Sequence, residues 1–292
     1  MANTLGIIGG SGLYAMEGLS GVEELRVQTP FGEPSDAIVK GTLGDTTLLF
    51  LPRHGRGHRI APHKINYRAN VFAMKVAGAE QLLSVSAVGS LQENIHPGEM
   101  VVVDQFIDRT RERASTFFDE HGLVAHVSMA DPVDAALAAA VADAVERVGA
   151  KVHRGGTYVC MEGPQFSTRA ESELYRSWGA SVIGMTNLPE AKLAREAELP
   201  YASMAMATDY DCWHVSEEAV TVEAVIAVMQ ANIAHARRVI TELVGHLPDP
   251  AQSPAAGALA SGLGITDPTT VTADVRRQLA PLIGKYLPAD GS

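Results

Sequence analysis

Short apolar runs alternate with longer stretches of helical spacing along most of the chain. Leu5 to Ile8 is continuously apolar and stops at Gly9-Gly10-Ser11-Gly12, the pattern of a buried strand feeding a tight glycine turn. Thr46 to Leu51 is a second such run, stopped by Pro52. From Asn66 to Ala77 the positions Val71, Met74 and Ala77 fall at helical spacing and end at Gly78. Leu82 to Val88 predicts a strand ending at Gly89, and Met100 to Val103 another after the turn His96-Pro97-Gly98. Pro132 to Val148 predicts an amphipathic helix. Val133, Leu137, Val141, Ala144 and Val148 recur every three or four residues, Pro132 suits a first turn, and Gly149 ends it. Val152 to Met161 then predicts strands, Thr168 to Trp178 a helix, Ser181 to Ile183 a strand and Pro189 to Glu198 a helix. Ala202 to Ala207 predicts a strand and Val222 to Val244 a long helix. Strands that are apolar throughout, alternating with helices, imply a single α/β domain over 1–244, its central sheet covered on both faces. From Gly245 to Gly264 the chain is rich in Pro, Ala, Gly and Ser and reads as a flexible, linker-like segment. Residues 265–292 form a C-terminal helical segment, with a helix from Thr272 to Leu287 that aligns Val275, Leu279 and Leu282 on one face.

At 292 residues the chain can bury a large core without disulfides or a metal to hold it. The 34 acidic residues against 23 basic ones leave a net charge of −11, which argues against nucleic acid as a partner. Two cysteines, Cys160 and Cys212, suit a reducing compartment and exclude a disulfide framework or a zinc quartet. The N-terminus has no basic leader, and no apolar run approaches the ~20 residues that span a bilayer. A cytoplasmic protein with no membrane partner is the expectation.

Four features carry chemistry. A strand followed by Gly9-Gly10-Ser11-Gly12 presents free backbone N–H groups and a hydroxyl, a nest for phosphate or else a plain tight turn. Pro52-Arg53-His54-Gly55-Arg56-Gly57-His58-Arg59 is the densest basic cluster. Arg53 can grip an anion with its forked guanidinium and His54 can add a donor, or the stretch is a solvated basic loop. A metal reading of His54, His58 and His63 fails, because glycines and Pro62 break any helix that would align them. Ser84-Val85-Ser86-Ala87-Val88-Gly89-Ser90 ends a buried strand in small residues that allow a ligand close to the backbone, or simply pack closely. Thr208-Asp209-Tyr210-Asp211-Cys212-Trp213 follows another apolar strand. Its two carboxylates point the same way if the strand continues, unless the stretch is a capped turn. A close pair that shares one proton offers one donor and one acceptor, the complement of adenine's N7 and amine and a misfit to a 6-oxopurine. Ligands of open α/β sheets gather at strand carboxyl ends, where the glycine loop, Arg53, Ser86 and Met185-Thr186 all fall. Cys160 reads as core; Cys212 could line a site.

The chain resembles the trimeric purine nucleoside phosphorylase family, in its branch acting on S-methyl-5′-thioadenosine. The likeness runs from about Leu5 to Val244. It is carried by Ile7-Ile8-Gly9-Gly10-Ser11-Gly12, Pro52-Arg53-His54-Gly55-Arg56, Asn66-Tyr67-Arg68-Ala69-Asn70, Asp104-Gln105-Phe106-Ile107-Asp108-Arg109-Thr110, Glu162-Gly163-Pro164-Gln165-Phe166-Ser167, Gly184-Met185-Thr186 and the Thr208 to Trp213 block. The resemblance implies a mixed, twisted sheet flanked by helices and a homotrimer. It also implies phosphorolysis of a methylthio nucleoside to adenine and 5-methylthioribose 1-phosphate, a salvage reaction, with inorganic phosphate as co-substrate and neither organic cofactor nor metal. By position it places phosphate on Ser11, Arg53, His54, Ser86 and Thr186, and sugar and base against Ala87, Met185, Phe166 and Ser167. Asp209 and Asp211 fall at the base edge as the catalytic pair. The 5′ group meets Val222, Val225 and Ile226, with His126 reaching over from a neighbouring subunit. The likeness stops before the Pro/Ala/Gly segment, and Leu279 and Leu282 are candidates for lining a neighbour's 5′ pocket. Readings that stay open are a wider 6-aminopurine or 5′-halogenated substrate range, a nucleosidase using water, an inosine or guanosine phosphorylase, and a non-catalytic adenine-nucleoside binder.

Overall fold

The computed structural model describes residues 3–10, 12–119, 122–214 and 222–288, without the side chains of 222–227 and 229. Strands β1 (Thr4–Gly9), β2 (Ser20–Leu25), β3 (Ile38–Leu43) and β4 (Thr46–Pro52) precede helix α1 (Tyr67–Val76). Strands β5 (Gln81–Ser90), β6 (Met100–Val103) and β7 (Gln105–Arg109) lead to α2 (Ala135–Arg147). Then come β8 (Val152–Arg154), β9 (Thr157–Met161), α3 (Arg169–Ser177), β10 (Val182–Gly184), α4 (Glu190–Glu196), β11 (Tyr201–Asp209) and α5 (Val222–Val244). Among the described residues these eleven strands form one mixed sheet.

The sheet is organised around β5. Parallel β1 lies on one side of its first half, with Ile8 opposite Ser84, and parallel β11 on the other, running to Asp209 opposite Gly89. The last residues of β5, Gly89 and Ser90, pair antiparallel with β10, which leads through β9 to β7. A ten-residue strand is long enough to serve two sets of neighbours, so the sheet divides where β5 runs out toward its carboxyl end. One face packs α1 and α4 through Val71, Phe72, Met74 and Leu193. The other packs α2 and α5 through Leu137, Val141, Val145, Val239 and Ile240. This is the two-faced cover expected of continuously apolar strands.

Several boundaries differ from the expectation. Helix α2 begins at Ala135, after Asp134, whose carboxylate accepts from Leu137 N at 2.8 Å. That cap satisfies an orphan N–H and leaves Pro132 outside the helix. Strands β2, β3 and β7 were not anticipated; β2 is an edge strand with nearly every position exposed, so it carries no apolar alternation. Cys160 is buried, as read.

Residues 245–264 are folded, against the linker reading. Two 3-10 turns, Pro250–Gln252 and Pro254–Gly257, run into α6 (Ala258–Gly262). Asp249 and Ser253 cap the turns, accepting from Ala251 N at 3.0 Å and Ala255 N at 3.1 Å. Leu259 and Leu263 join the core beneath α1 and α4. The composition that suggests a linker here places a cap and a proline at the start of each turn. The terminal helix is broken into α7 (Ala273–Gln278) and α8 (Ala280–Ile283). Pro281 has no N–H to extend α7 and suits the first turn of α8. Leu279 and Leu282 are buried in this chain's own core, so they are not free to line a neighbour's pocket.

Candidate active site

The ends of β1 and β4 meet beside the middle of β5, so Ser86 is not at a strand end as expected: β5 runs on to Ser90, and Thr186 follows β10, which runs antiparallel to it. Gly9 pairs with Pro52, and Arg53 N donates to Gly9 O at 2.9 Å, so the glycine loop and the basic cluster leave the sheet side by side. Ser11 lies outside the described residues. Helix α5 holds the loop from behind: Arg237 Nε donates to Gly12 O at 2.9 Å, and a Cβ on Gly12 would stand 3.3 Å from Ile233. Arg53 is buried. Its guanidinium reaches the carbonyls of Ile8 and Val85, the Ser84 hydroxyl and the Glu190 carboxylate. His54 Nδ1 lies 2.8 Å from Ile60 O, an acceptor that fixes the proton on Nδ1, and the ring stacks on His58. Burial pushes the His54 pKa down to about 4, and the Arg53 charge adds to the effect. The neutral ring therefore offers Nε2 as a lone pair, where the sequence suggested a donor. Ser86 is buried and donates to Asn187 Oδ1 at 3.2 Å; Asn187 in turn donates to Ser203 Oγ. Thr186 is buried just after β10.

Three residues beyond Ser86, about 10 Å at strand rise, lies the second cluster. The described structure reaches it along β5 past Ala87, the one exposed residue of that strand. A Cβ on Gly89 would stand 3.1 Å from Asp209 Oδ1 and 3.2 Å from Asp211 Cβ, so a glycine here gives both aspartates room against the strand. The two aspartates are not aligned by strand alternation as expected. Strand β11 ends at Asp209, and Asp211 turns into the left-handed region at φ +52° at the start of a 3-10 turn, Asp211–Trp213. Asp211 N donates to Asp209 Oδ1 at 2.8 Å, and Trp213 Nε1 pins the turn to Ser90 O at 2.8 Å. Thr208 Oγ1 has two acceptors for its one hydrogen, Asp209 Oδ2 at 2.8 Å and Val88 O at 3.2 Å. Ser167 donates to the Asp211 carboxylate at 3.0 Å, and Cys212 Sγ lies 3.4 Å from Ser167 O. Beside them Phe166 is 81% exposed among the described residues. The Met185 carbonyl is held by Arg113, which donates to Met185 O and Leu188 O at 2.7 Å each and to the Tyr67 hydroxyl at 3.0 Å.

His126 does not join this group in the chain. It is exposed on a loop tied to α6 by His126 N donating to Gly262 O at 2.9 Å. The side chains of Val222, Val225 and Ile226 lie outside the described residues; their backbone begins α5. A cavity of about 850 Å³ lies elsewhere, between Gln81, Arg195 and Pro248–Ser261, and none of the residues above lines it. Among the described residues no cluster of three His, Cys, Asp or Glu could hold a metal, and no helix is long and apolar enough to cross a membrane. Sequence reasoning missed Glu190, Asn187, Thr208, Arg113 and Arg237. Thr208 stood within a block that the sequence had already marked, whereas Glu190 left no local signal, since its helix also carries Lys192, Arg195 and Glu196.

The family profile of the phosphorylase superfamily matches residues 4–245. An S-methyl-5′-thioadenosine phosphorylase of Geobacter sulfurreducens is 54% identical over 288 residues, 98% of this chain and all of that one. One of Koribacter versatilis is 54% identical over 98% of this chain and 97% of its own. The likeness therefore runs on through the C-terminal segment, which the sequence motifs had left outside it. Among solved structures, a methylthioadenosine phosphorylase from an antarctic soil metagenomic library superposes with a TM-score of 0.91 at 47% identity, covering 96% of this chain and 99% of that one. Methylthioadenosine phosphorylase from Schistosoma mansoni, in complex with adenine, superposes at 0.76 with 35% identity, covering 97% and 98%.

Proposed function

The chain belongs to the phosphorylase superfamily, and we propose that it cleaves S-methyl-5′-thioadenosine with inorganic phosphate, releasing adenine and 5-methylthioribose 1-phosphate. The observation that carries this reading is the pairing of two unlike clusters along β5. Arg53, His54, Ser86 and Thr186 stand at one end, and Asp209, Asp211 and Ser167 at the other. The distance between them suits a sugar. Phosphate lies under C1′ on the glycine loop, with Arg53, Ser86, Thr186 and Ser11 as donors and the His54 Nε2 lone pair to accept the hydrogen of hydrogen phosphate. The bond from C1′ to N9 breaks as a phosphate oxygen closes on C1′, and the negative oxyanion stabilises the oxocarbenium-like sugar. Asp209, protonated, gives its proton to N7, and the hydrogen lost by hydrogen phosphate restores the balance. Thr208 supports this step, because its hydroxyl can turn to Val88 O and leave Asp209 Oδ2 free. Asp211, held by Ser167, accepts from the amine, and Phe166 stacks on the base. Ala87 and Met185 border the sugar. Holding two substrates in line supplies much of the rate. Phosphate is the sole co-substrate, with no cofactor or metal.

In this reading the apolar residues Val222, Val225 and Ile226 receive the 5′ group, and His126 is supplied by a neighbour in a cytoplasmic homotrimer. Adenine release is to be measured on methylthioadenosine, adenosine, a 5′-halogenated deoxyadenosine and inosine, each with and without phosphate. Turnover of methylthioadenosine is expected to need phosphate, adenosine to be poorer by ~10²-fold, and inosine to be inert. Equal release without phosphate would mean a nucleosidase.

A further inference from the structure

Arg53, the guanidinium assigned to phosphate, does not meet the cleft as a free charge. Its Nε lies 2.8 Å from Glu190 Oε2 and its Nη2 3.1 Å from Glu190 Oε1, and the two side chains are 3% and 1% exposed. Nη2 also lies 2.9 Å from Ile8 O and 2.7 Å from Ser84 Oγ, and Nη1 lies 3.1 Å from Val85 O. Among the described residues that leaves one N–H, on Nη1, for a ligand. Tyr201 donates its hydroxyl to Glu190 Oε1 at 3.1 Å, fixing the carboxylate from the far side. An oxyanion at this end of the cleft faces an ion pair with one spare donor. Two further cations, Arg113, whose charge reaches His54, and Arg237, behind the Gly12 carbonyl, are the same in every arm of the test below.

We propose that Glu190 is a positioning residue that neutralises Arg53, so that bound phosphate is oriented by the guanidinium but keeps its negative charge for the sugar cation. The inference rests on the phosphorolysis reading above. In a site shielded from water, an unpaired guanidinium would grip the phosphate dianion before reaction and hold its charge away from C1′. Binding that is stronger in the ground state than in the transition state lowers kcat. With Glu190 in place, the charge that matters most as C1′ becomes positive stays on the attacking oxyanion. Glu190 also spares Arg53 an uncompensated burial. The electrostatic and the purely structural roles predict opposite changes in phosphate affinity, which makes them separable.

The test is Glu190→Gln in the full chain. Phosphate binding without nucleoside, read by calorimetry, is expected to tighten about tenfold, and kcat at saturating substrates to fall about tenfold, the size of a charged hydrogen bond. Weaker or unchanged phosphate binding overturns the proposal. Tyr201→Phe removes a donor to Glu190 and keeps the ion pair, so its phosphate affinity is expected to match the wild type. Equal tightening in that variant would point to loosened packing and would overturn the charge argument. If Glu190→Gln is insoluble in chloride buffer, inorganic phosphate at matched ionic strength is expected to recover it, because the anion supplies the missing countercharge. A chain insoluble in both sinks the idea. In the wild type, adenine release that ignores phosphate would instead defeat the phosphorolysis reading, whatever the variant does.

Discussion

In the proposed reaction, Asp209 is the side chain on which the chemistry turns. Asp209→Asn is expected to cut turnover of methylthioadenosine by ~10²–10⁴-fold, the usual worth of one general acid. Full activity in that variant would remove Asp209 from the acid role. The residue types of the aspartate pair, and of Arg53 and His54, could be read from the chain. Their partners could not: Glu190 stands 137 positions from Arg53, and no local pattern pairs them.

Two titrations follow from burial, with opposite signs. His54 has its pKa pushed down to about 4 from 6.5, chiefly by burial. Between those values the unfolded chain binds a proton that the folded chain refuses, so this contribution is complete above 6.5 and is lost as pH falls toward 4. Glu196 is pushed up to about 7 from 4.5 by burial, and it accepts from Phe117 N and Thr116 Oγ1. Here the folded chain keeps the proton longer, so stability is complete below 4.5 and falls as pH rises through 7. Glu196→Gln should therefore melt above the wild type at pH 8 and level with it at pH 4. Melting curves at the two pH values decide, and an equal gap at both would contradict the assignment.

Among the elements, α5 touches both ends of the cleft. Arg237 holds Gly12 O, and Asn232 Nδ2 donates to Ala207 O at 3.2 Å, two residues before Asp209. Arg237→Met should raise the KM for phosphate more than that for nucleoside, because it frees the glycine loop without touching the base end. Steady-state kinetics with each substrate varied will show whether the two constants separate. The C-terminal elements are core, not appendage. Leu259→Ala should cost about 2–5 kcal/mol by denaturant unfolding, as a buried Leu truncation does. A loss near zero would restore the linker reading. Helical spacing made α1, α2 and α5 legible in advance. Strand β2 escaped because an exposed edge strand needs no apolar face, and the short turns of 245–264 escaped because their caps resemble linker composition.

For the assembly, the expectation is a trimer in which each site borrows His126. Mixed oligomers of His126→Ala and Asp209→Asn subunits should then regain activity that neither parent has, since some sites combine two intact residues. Assays after refolding the two variants together, beside the mass in solution, give the answer. No gain on mixing would place His126 outside the site.

The order of apolar and polar positions was enough to settle the α/β class and the longer helices, because burial of a strand or a helix face is a local demand on spacing. The residue types near the strand ends suggested a phosphate nest and a complement to adenine, which the proposed function takes up. Folding alone brought Glu190 to Arg53, Asn187 to Ser86, and Arg113 to the Met185 carbonyl. It also turned Asp211 back onto Asp209 through a left-handed residue. Those contacts join residues far apart in the chain or depend on one backbone angle, and neither leaves a periodic trace in the order of residues.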